Sequence, residues 1–517
     1  MEFTALGTDS GFTAGDFRAT GYFAAVPAYQ QVFICDGRPA SATIADSGYH
    51  RIDMANTSLV GDPSAPFTVG ETVTQATSLA TGTFVETVGS GATARNLIYR
   101  TSTVEFSITD VVTGADSSST LAPTEVIAPP HWLNWILKTA DDLGDPMPAN
   151  LFPDGGSNIS CLFDGRVWLN SMYNPHQWVA SRQGDPFDFD TSVDIEDVQG
   201  AFSSQTSNAG MVAEPLVAFI PYKDTFLIFG ATDSLWVLRG GSTGGGGLSN
   251  ITFETGVFGP DSWCWDNQGS LYIVGMNGFF KFPSGAILSE ESLDNITTRL
   301  LPNLFKTIKL NRKTDRVVVG FDRIRNLINV SMTMQDGSWA VNFVYDPTLD
   351  AIYPDEYPLA QVPASYFYSQ DYVNDETGLW FGGYDGYIRK FDEATLDDDG
   401  TAITSYTFFG PIFLGEIIRA NVKVKEIEVI LSEDTTNVSW YLYSSTSAEK
   451  LKQDIENSVA PVAYGTLTSG GRQFTIREKV AGEFIGILFM NNVTGTTWAC
   501  ESIRLQFTLS GKVKEGN

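Results

Sequence analysis

Short runs of alternating apolar and polar residues dominate the chain, and turn-forming residues separate them. The clearest unit is an apolar strand, a polar turn containing Asp or Gly, and a second apolar strand. This unit recurs along the chain from Val32, Ser160, Leu216, Ser262, Arg316 and Gly378. The later turns are centred near Asp164, Asp224, Asn267, Arg323 and Tyr384. Their spacing of about 40 to 60 residues is typical of the blades of a β-propeller.

The pattern therefore predicts an all-β protein with a β-propeller core. A set of stacked β-sandwiches would give a similar spacing, and no repeated Trp-Asp dipeptide distinguishes the two. Helical periodicity is confined to residues 290–309. We expect Pro302 to break that helix, because proline removes a backbone donor and clashes with the preceding turn.

A second repeat lies between residues 67 and 125, where two segments match at an offset of 39 residues. The matched pairs are Phe67 and Phe106, Val69 and Ile108, Glu71 and Asp110, Val73 and Val112, Thr74 and Thr113, Ser78 and Ser117, and Thr81 and Thr120. The segment is rich in Thr, Ser and Val. We interpret residues 55–127 as an inserted small β barrel or sandwich that interrupts the first blade, since insertions are tolerated at loop tips.

These patterns divide the chain into four parts. Residues 1–54 supply the first propeller strands, 55–127 form the inserted β module, and 128–400 form the main propeller. Residues 401–517 form a C-terminal β region that closes or caps the propeller. The glycine-rich run 240–247 is expected to be a flexible loop.

Charge narrows the range of partners. The chain has 61 acidic and 32 basic residues, a net charge of −29, and a high content of Phe, Tyr and Trp. Tight, static nucleic-acid binding needs Lys and Arg against phosphate, so it is disfavoured. DNA that slides past without sticking is compatible with this charge. An equally acceptable explanation is that the acids keep an aromatic-rich surface soluble.

Residues that could carry out chemistry are sparse. The cysteines lie far apart, without a CxxC pair, at Cys35, Cys161, Cys264 and Cys500. We therefore expect neither a zinc site nor a disulfide framework. No catalytic or metal-binding spacing links the three histidines, His50, His131 and His176. A P-loop, a GxSxG elbow and a dinucleotide fingerprint are also absent from the sequence. We predict no catalytic residue, no cofactor and no metal site.

Acidic turns offer two alternatives to this prediction. Asp36, Asp164 and Asp266 stand in turns that could be sialidase-like Asp boxes, but Asp is also an ordinary turn former. The carboxylates at 397–399 would suit calcium, but they lack the alternating spacing of a calcium loop. We interpret all of them as turns.

The first residues lack the basic-then-apolar pattern of a secretory signal. No window approaches the eighteen apolar residues of a membrane span. We therefore expect a protein that is made and assembled in a cytoplasm.

One run of sequence resembles a known family. GRVWLNSMYNPHQWVASRQGDPFDFD, from Gly165, is similar to a segment of the phage tail nozzle proteins (tail tubular protein B-like), with a strand followed by Trp, Ser-Arg and Gly-Asp. FIPYKDTFLIFGATDSLWVLRGG from Phe219 and GFFKF from Gly278 agree with the family's downstream pattern. The N-terminal VFICDGR and the C-terminal ESIRLQFTLSGKVK fit it as well.

The resemblance implies a non-enzymatic structural subunit of the virion tail, assembled in the host cytoplasm as a homohexameric ring. Such a ring forms the distal channel of a short phage tail, below the adaptor ring that is joined to the portal and near tail fibres or spikes. At the host cell envelope it first retains and then passes double-stranded DNA, without binding it specifically. An acidic channel would repel phosphate. The alternative is a receptor-binding or glycan-processing β-propeller of the tail.

Overall fold

The computed structural model describes residues 24–39, 47–138, 156–191, 197–222, 225–240, 246–284, 289–334, 337–370, 377–392, 394–413, 422–468, 473–476 and 480–509. The chain divides into two compact units, Met1–Lys390 and Phe391–Asn517. Both units are built from short antiparallel strands, which confirms the all-β prediction. The predicted C-terminal region begins at 401, whereas the second unit begins at Phe391. The predicted turn at Asp224 and the loop at 241–245 lie outside the described residues.

Six small antiparallel sheets follow one another along the first unit. Sheet 1 contains β1 (Ala24–Ala28), β2 (Gln31–Cys35), β3 (Tyr49–Asp53) and β11 (His131–Asn134). Sheet 2 contains β12 (Ser160–Phe163), β13 (Arg166–Asn170), β14 (Trp178–Ala180) and β15 (Phe202–Ser203). Sheet 3 contains β16 (Leu216–Tyr222), β17 (Phe226–Ala231), β18 (Leu235–Arg239) and β19 (Gly247–Thr252).

The next three sheets repeat this simple up-and-down order. Sheet 4 contains β20 (Trp263–Trp265), β21 (Leu271–Val274), β22 (Phe279–Phe282) and β23 (Asp294–Asn295). Sheet 5 contains β24 (Asp315–Asp322), β25 (Leu327–Met334), β26 (Ala340–Asp346) and β27 (Ala351–Asp355). Sheet 6 contains β28 (Pro363–Ser369), β29 (Gly378–Gly383) and β30 (Ile388–Lys390). The turns predicted near Asp164, Asn267, Arg323 and Tyr384 each join two paired strands, as expected.

Successive sheets pack face to face in chain order. Strand β17 is apolar on both faces. Alternate side chains of a strand point to opposite sides, and each side of β17 packs against a different sheet. Leu227 and Phe229 lie in the core shared with sheet 2, while Ile228 lies in the core shared with sheet 4. Similar apolar cores join sheet 1 to sheet 2 and sheet 4 to sheet 5. Between sheets 5 and 6, Gly320 of β24 approaches Tyr366 of β28 so closely that a Cβ would lie 2.6 Å from the ring.

The helix predicted over 290–309 forms only from Ile296 onward, because Glu290–Ser292 is a 3₁₀ turn and Asp294–Asn295 is strand β23, and it is broken where expected. It consists of α1 (Ile296–Leu300) and α2 (Leu304–Ile308), which are separated by the segment that contains Pro302. The Asn295 side chain caps α1 by accepting a hydrogen bond from the backbone N–H of Thr298. In the part of the chain that the structure describes, short 3₁₀ turns lie at Gly91–Thr93, Glu290–Ser292 and Leu359–Gln361.

A seven-stranded sheet is inserted between β3 and β11, which pair directly with each other. Its strands are β4 (Thr57–Val60), β5 (Thr72–Gln75), β6 (Thr81–Val88), β7 (Arg95–Arg100), β8 (Val112–Gly114), β9 (Thr120–Leu121) and β10 (Glu125–Ile127). The strand order is β10-β4-β7-β6-β5-β8-β9. The sheet curls, so that Leu59 of β4 and Leu121 of β9 share one apolar core.

The internal repeat forms two hairpins, β5–β6 and β8–β9, that pair through β5 and β8. Thr74 lies opposite Thr113, its own counterpart at the 39-residue offset. Val73 lies opposite Gly114, and Gln75 opposite Val112, so the pairing is reciprocal. The two copies are therefore related by a local pseudo-two-fold axis that passes between the two threonines.

The acidic residue of each copy caps the turn of the other copy. The Glu71 carboxylate accepts hydrogen bonds from the backbone N–H groups of Asp116 and Ser117, both at 2.9 Å. Its counterpart Asp110 accepts from the equivalent N–H groups of residues 77–78, at 2.8 and 2.9 Å. Both carboxylates therefore satisfy backbone donors that a tight turn leaves without partners.

One further difference between the copies, Gln75 in the first and Gly114 in the second, compensates for the different lengths of these acids. Gly114 leaves room for the longer Glu71, because a Cβ at Gly114 would lie 2.6 Å from its carboxylate. The counterpart of Gly114 is Gln75, whose side chain fills the space beside the shorter Asp110. The Gln75 amide donates at 2.7 Å to the backbone carbonyls of both Ser107 and Asp110.

The second unit is a two-sheet β-sandwich preceded by a hairpin of β31 (Asp397–Asp398) and β32 (Thr401–Ala402). One sheet has the order β33 (Ser405–Phe413), β39 (Phe484–Asn491), β35 (Val438–Ser445) and β36 (Ala463–Leu467). In the other, β34 (Val422–Leu431) pairs on one side with β37 (Gln473–Ile476) and β38 (Val480–Ala481), and on the other with β40 (Cys500–Leu509). One apolar core lies between the two sheets.

A helix, α3 (Ala448–Glu456), interrupts the second unit, where the sequence pattern predicted only strands. That prediction was wrong because the helix is short and mostly polar: Leu451 and Ile455 have the helical spacing of four, but only Leu451 is buried, so the apolar signal is small. A local signal was present: the Ser447 hydroxyl accepts a hydrogen bond from the Lys450 N–H as an N-cap.

Replacing Glu71 should destabilise the inserted sheet. Burial alone would raise the pKa of Glu71, but hydrogen bonds from Ser117 and from the backbone of Thr68 and Asp116 hold it at about 2. In Glu71→Gln the amide NH₂ would face these donors, so we expect a loss of about 2 kcal/mol in the free energy of unfolding. Chemical denaturation and hydrogen exchange at Asp116 and Ser117 measure the effect.

The matched control is Glu105→Gln, in the loop between β7 and β8 and exposed, which should leave the stability unchanged. Because the folded-state pKa of Glu71 is depressed, its contribution is present above pH 4.5 and is lost as the pH falls towards 2. Equal stability of wild type and Glu71→Gln at pH 7 would contradict this account.

Candidate functional site

The segment that resembles the nozzle family lies at the junction of sheets 1 and 2. Phe187 and Phe189 leave sheet 2 and pack against the aromatic side chains of sheet 1. The Phe33 and Phe187 ring centroids are 5.5 Å apart, and those of Trp135 and Phe189 are 6.0 Å apart. The Trp135 indole N–H also donates to the carbonyl of Pro186 at 3.0 Å. The motif therefore places aromatic side chains between two sheets.

Backbone hydrogen bonds strengthen the same junction. The Lys138 N–H donates to the Phe187 carbonyl at 2.8 Å, and the Phe189 N–H donates to the Lys138 carbonyl at 2.9 Å. These bonds form a parallel bridge between Lys138 and Asp188. The chain after β14 is thus attached to the chain after β11, although the two segments are far apart in the sequence.

The Ser-Arg and Gly-Asp parts of the motif shape the turn that follows β14. The Arg182 guanidinium forms an ion pair with Asp197 at 3.0 Å. A backbone hydrogen bond from Gln199 and the charge of Arg182 lower the pKa of Asp197. Gly184 adopts a φ of 81°, which favours glycine, and its N–H donates to the Gly165 carbonyl at 2.9 Å.

Arg166, the first residue of β13, is a buried charged residue of this segment that makes several contacts. Its guanidinium is buried and lies over the Phe202 ring, 4.9 Å from the centroid. It donates to four backbone carbonyls at 2.7 to 3.1 Å, those of Ser181, Val198, Gln199 and Gly200. Burial lowers the pKa of Arg166. Sequence reasoning gave Arg166 no role, although an arginine amid apolar strand residues is a signal of a buried, satisfied cation.

The acidic turns behave as turn formers. One Asp266 carboxylate oxygen accepts from the N–H groups of Gln268 and Ser270, both at 2.8 Å. Asp36 is bound by the side chain and backbone of Arg38. Asp164 occupies a turn with a φ of 53°. These contacts are those of carboxylates that bind local backbone and side-chain donors in turns.

The acids at 397–399 also lie in a turn. Asp397 accepts a hydrogen bond from the Gly400 N–H at 2.8 Å, which closes the hairpin between β31 and β32. Across the described ranges, no group of three or more His, Cys, Asp or Glu side chains is arranged to hold a metal ion.

The three histidines are not brought together at a common site. His50 in β3 is buried beside Asp36 and the Trp132 ring, and burial lowers its pKa. His131 in β11 is also buried, and burial lowers its pKa to about 4. His176 lies on sheet 2, where its Nδ1 is 3.3 Å from the Val212 carbonyl.

The four cysteines are free thiols that serve as packing residues. Burial raises the pKa of Cys35 to about 12 and raises the pKa values of Cys161, Cys264 and Cys500 as well. Thiols with raised pKa values are poor nucleophiles, because the thiolate is the reactive form.

Each unit has a groove that is open to solvent. An apolar groove of about 550 Å³ in the first unit is lined by α1, α2 and Trp339. A groove of about 450 Å³ in the second unit lies at the edge strand β33 and combines aromatic with hydroxyl side chains, among them Ser405, Tyr406 and Trp498. The sequence did not reveal the second groove, because its two walls are about ninety residues apart.

Comparisons with known proteins leave the family open, since neither a protein-family model nor a curated protein matches the chain. Similar solved structures include Hsv2 of Kluyveromyces lactis, at 10% identity over 63% of this chain and 79% of that one, with a TM-score of 0.23. An exo-β-1,3-galactanase from Phanerochaete chrysosporium is 9% identical over 87% of this chain and 100% of its own, with a TM-score of 0.25.

A third similar structure is the extracellular domain of a hybrid two-component system from B. thetaiotaomicron, at 9% identity over 93% of this chain and 67% of that one, with a TM-score of 0.29. All three TM-scores are below 0.5, so neither fold nor function is inferred from them. Among the helices that the structure describes, none is both long and apolar enough to cross a bilayer.

Removing the Arg166 guanidinium should destabilise the first unit. Arg166→Met keeps the apolar stem but removes two buried hydrogen bonds, to Ser181 and Gly200, and two part-buried ones, and we expect a loss of about 3 kcal/mol in the free energy of unfolding. Arg100→Met, at a more exposed ion pair, is the control and should cost less than about 1 kcal/mol. Urea denaturation of both variants compares the two losses. Equal losses would show that Arg166 has no special structural role.

His131 should make the protein less stable in mild acid. Its folded-state pKa of about 4 lies below the ordinary value of 6.5, so the unfolded chain binds this proton first. The free energy of unfolding should therefore fall as the pH decreases from 6.5 to 4, by up to about 1.4 kcal/mol per pH unit from this residue. In His131→Leu that part of the slope should vanish. An unchanged slope in urea titrations between these pH values would contradict the assignment.

Proposed function

We propose that this protein is a non-enzymatic structural subunit of a virion, the nozzle of a short phage tail, and that its six small sheets are the blades of a β-propeller. The observation that carries the proposal is the packing of sheets 1 to 6 face to face in chain order, each an up-and-down antiparallel sheet. Propeller blades have this topology and this order. The packing of sheet 6 against sheet 1, which closes the ring of blades, is part of the proposal.

The resemblance of the segment from Gly165 supports the nozzle in particular. Its residues Phe187 and Phe189 pack against sheet 1, whereas Arg166 and Arg182 bind residues 181 and 197–200 beside sheet 2. A motif that organises the fold is what a structural subunit requires, because its function depends on a fixed shape. The inserted sheet lies between β3 and β11 of the first blade, and the proposal assigns it no binding partner.

Charge provides the second support. A ring of six copies would carry a formal charge of −174, six times −29. Double-stranded DNA carries about one negative charge per 1.7 Å of its axis. Carboxylates that face a channel would repel phosphate over about 10 Å at moderate salt, so the duplex would meet no site at which to stall. The ring would thus retain DNA by closure and release it without specific binding.

Particle mass and shape test the proposal. The purified full chain should form closed rings with a central channel in negative-stain images. Mass photometry should find particles of about 340 kDa, six times 56.3 kDa, rather than the single chain. At about 50 mM salt the rings should not retard duplex DNA in a gel.

Two results would count against this function. One is a chain that stays at 56.3 kDa at all concentrations and is absent from tailed particles. The other is the release of new reducing ends from bacterial polysaccharide, which would favour the glycan-processing alternative.

A further inference from the structure

We propose that the groove on the second unit binds a neutral saccharide. The groove runs beside β33, an edge strand of its sheet, and is bordered on the other side by the segment that leads into β40. Its volume of about 450 Å³ falls within the range of small-ligand sites, about 300 to 1,000 Å³. This inference does not depend on the nozzle function.

An oriented aromatic surface forms part of the groove. The Trp498 indole N–H donates to the Ser405 hydroxyl at 2.7 Å, and that hydroxyl is 3.5 Å from the Asn491 carbonyl. The Trp498 ring also packs near Phe489 at 6.4 Å, against the sandwich core. Fixed in this way, the indole contributes to binding without losing much conformational freedom. Aromatic side chains offer an apolar face of the kind that the C–H face of a sugar ring can cover.

Hydroxyl groups supply the polar half of the recognition. Those of Thr407 and Thr497 line the groove and make no hydrogen bond within the described part of the chain, and neither does the phenol of the exposed Tyr406. A purely apolar ligand would bury these hydroxyls without partners, at a cost of about 1 to 3 kcal/mol each. A ligand that carries many hydroxyls would satisfy them.

The groove is uncharged, which selects for a neutral ligand. None of its lining residues has an ionised side chain, and burial raises the pKa of the Cys500 thiol at its base. In a chain with a net charge of −29, an uncharged groove supplies no counter-charge to a phosphate or a uronic acid. A cationic ligand would find no carboxylate there. Neutral hexoses combine an apolar face, many hydroxyls and no charge.

To test the proposal, the purified full chain is titrated with neutral hexasaccharides of glucose, mannose and galactose. Binding is measured by calorimetry and by tryptophan fluorescence. A hexamer of glucuronic acid is the charged comparison. We expect at least one neutral saccharide to bind and the charged one to bind at least about tenfold more weakly. Trp498→Ala should weaken binding by about tenfold or more, since truncated aromatic contacts carry much of a site's affinity.

Three further variants separate binding from folding. Thr497→Val replaces the hydroxyl with a methyl group of similar shape, so it should preserve the melting temperature and weaken binding several-fold. Tyr406→Ala and Tyr464→Ala form a matched pair, because both tyrosines are exposed on the two edge strands of one sheet. Only Tyr406→Ala should reduce affinity.

Three outcomes would overturn the proposal. The first is that no neutral saccharide binds at about 10 mM. The second is that Thr497→Val and Tyr406→Ala bind as the wild type does. The third is self-association of the chain that Tyr406→Ala abolishes while no saccharide binds, which would make β33 a protein interface instead.

Discussion

Face-to-face packing of small sheets is the constraint on which the first unit depends. A sheet of three or four short strands cannot bury two apolar faces by itself. Strand β17 divides its side chains between two cores, with Phe229 on one side and Ile228 on the other. Sheets 2, 3 and 4 each contribute to two apolar cores, one shared with the preceding sheet and one with the following sheet, so their chain order is also their packing order. Loss of any of these three sheets would expose two apolar cores.

Hydrogen bonds with charged side chains satisfy backbone groups that short strands leave without partners. Short strands end often, and every end leaves backbone donors or acceptors without a ladder partner. Arg166 satisfies four such carbonyls next to sheet 2, and Glu71 satisfies the turn amides of the inserted sheet. In both places the buried, ionised side chain is stabilised by hydrogen bonds with backbone groups and not by an oppositely charged side chain. Charge here supports architecture, which agrees with a protein that works through its shape.

The two units differ in chemical character. In the first, the segment that resembles the nozzle family is occupied by packing and backbone hydrogen bonds, and its histidines and cysteines are dispersed. The second unit places hydroxyls and aromatic rings without charge at the open edge of a sandwich. A structural ring subunit with a saccharide-binding region would both conduct DNA and contact a glycan surface. The two proposals can fail separately, since one concerns assembly and the other a small-molecule site.

The sequence by itself determined the features that depend on local order. Period-two alternation predicted the strands, the spacing of turns predicted small successive sheets, and Pro302 marked the break between α1 and α2. The 39-residue repeat was also visible, because side-chain types recur at a fixed offset. Only tertiary structure decided which copy each acid serves: Glu71 and Asp110 cap each other's turns, and Gly114 makes room for the longer one. Arg166 and the groove at Trp498 belong to the same class. Their partners are distant in the chain, and alternation along a strand tells which face a residue takes but not what lies across from it.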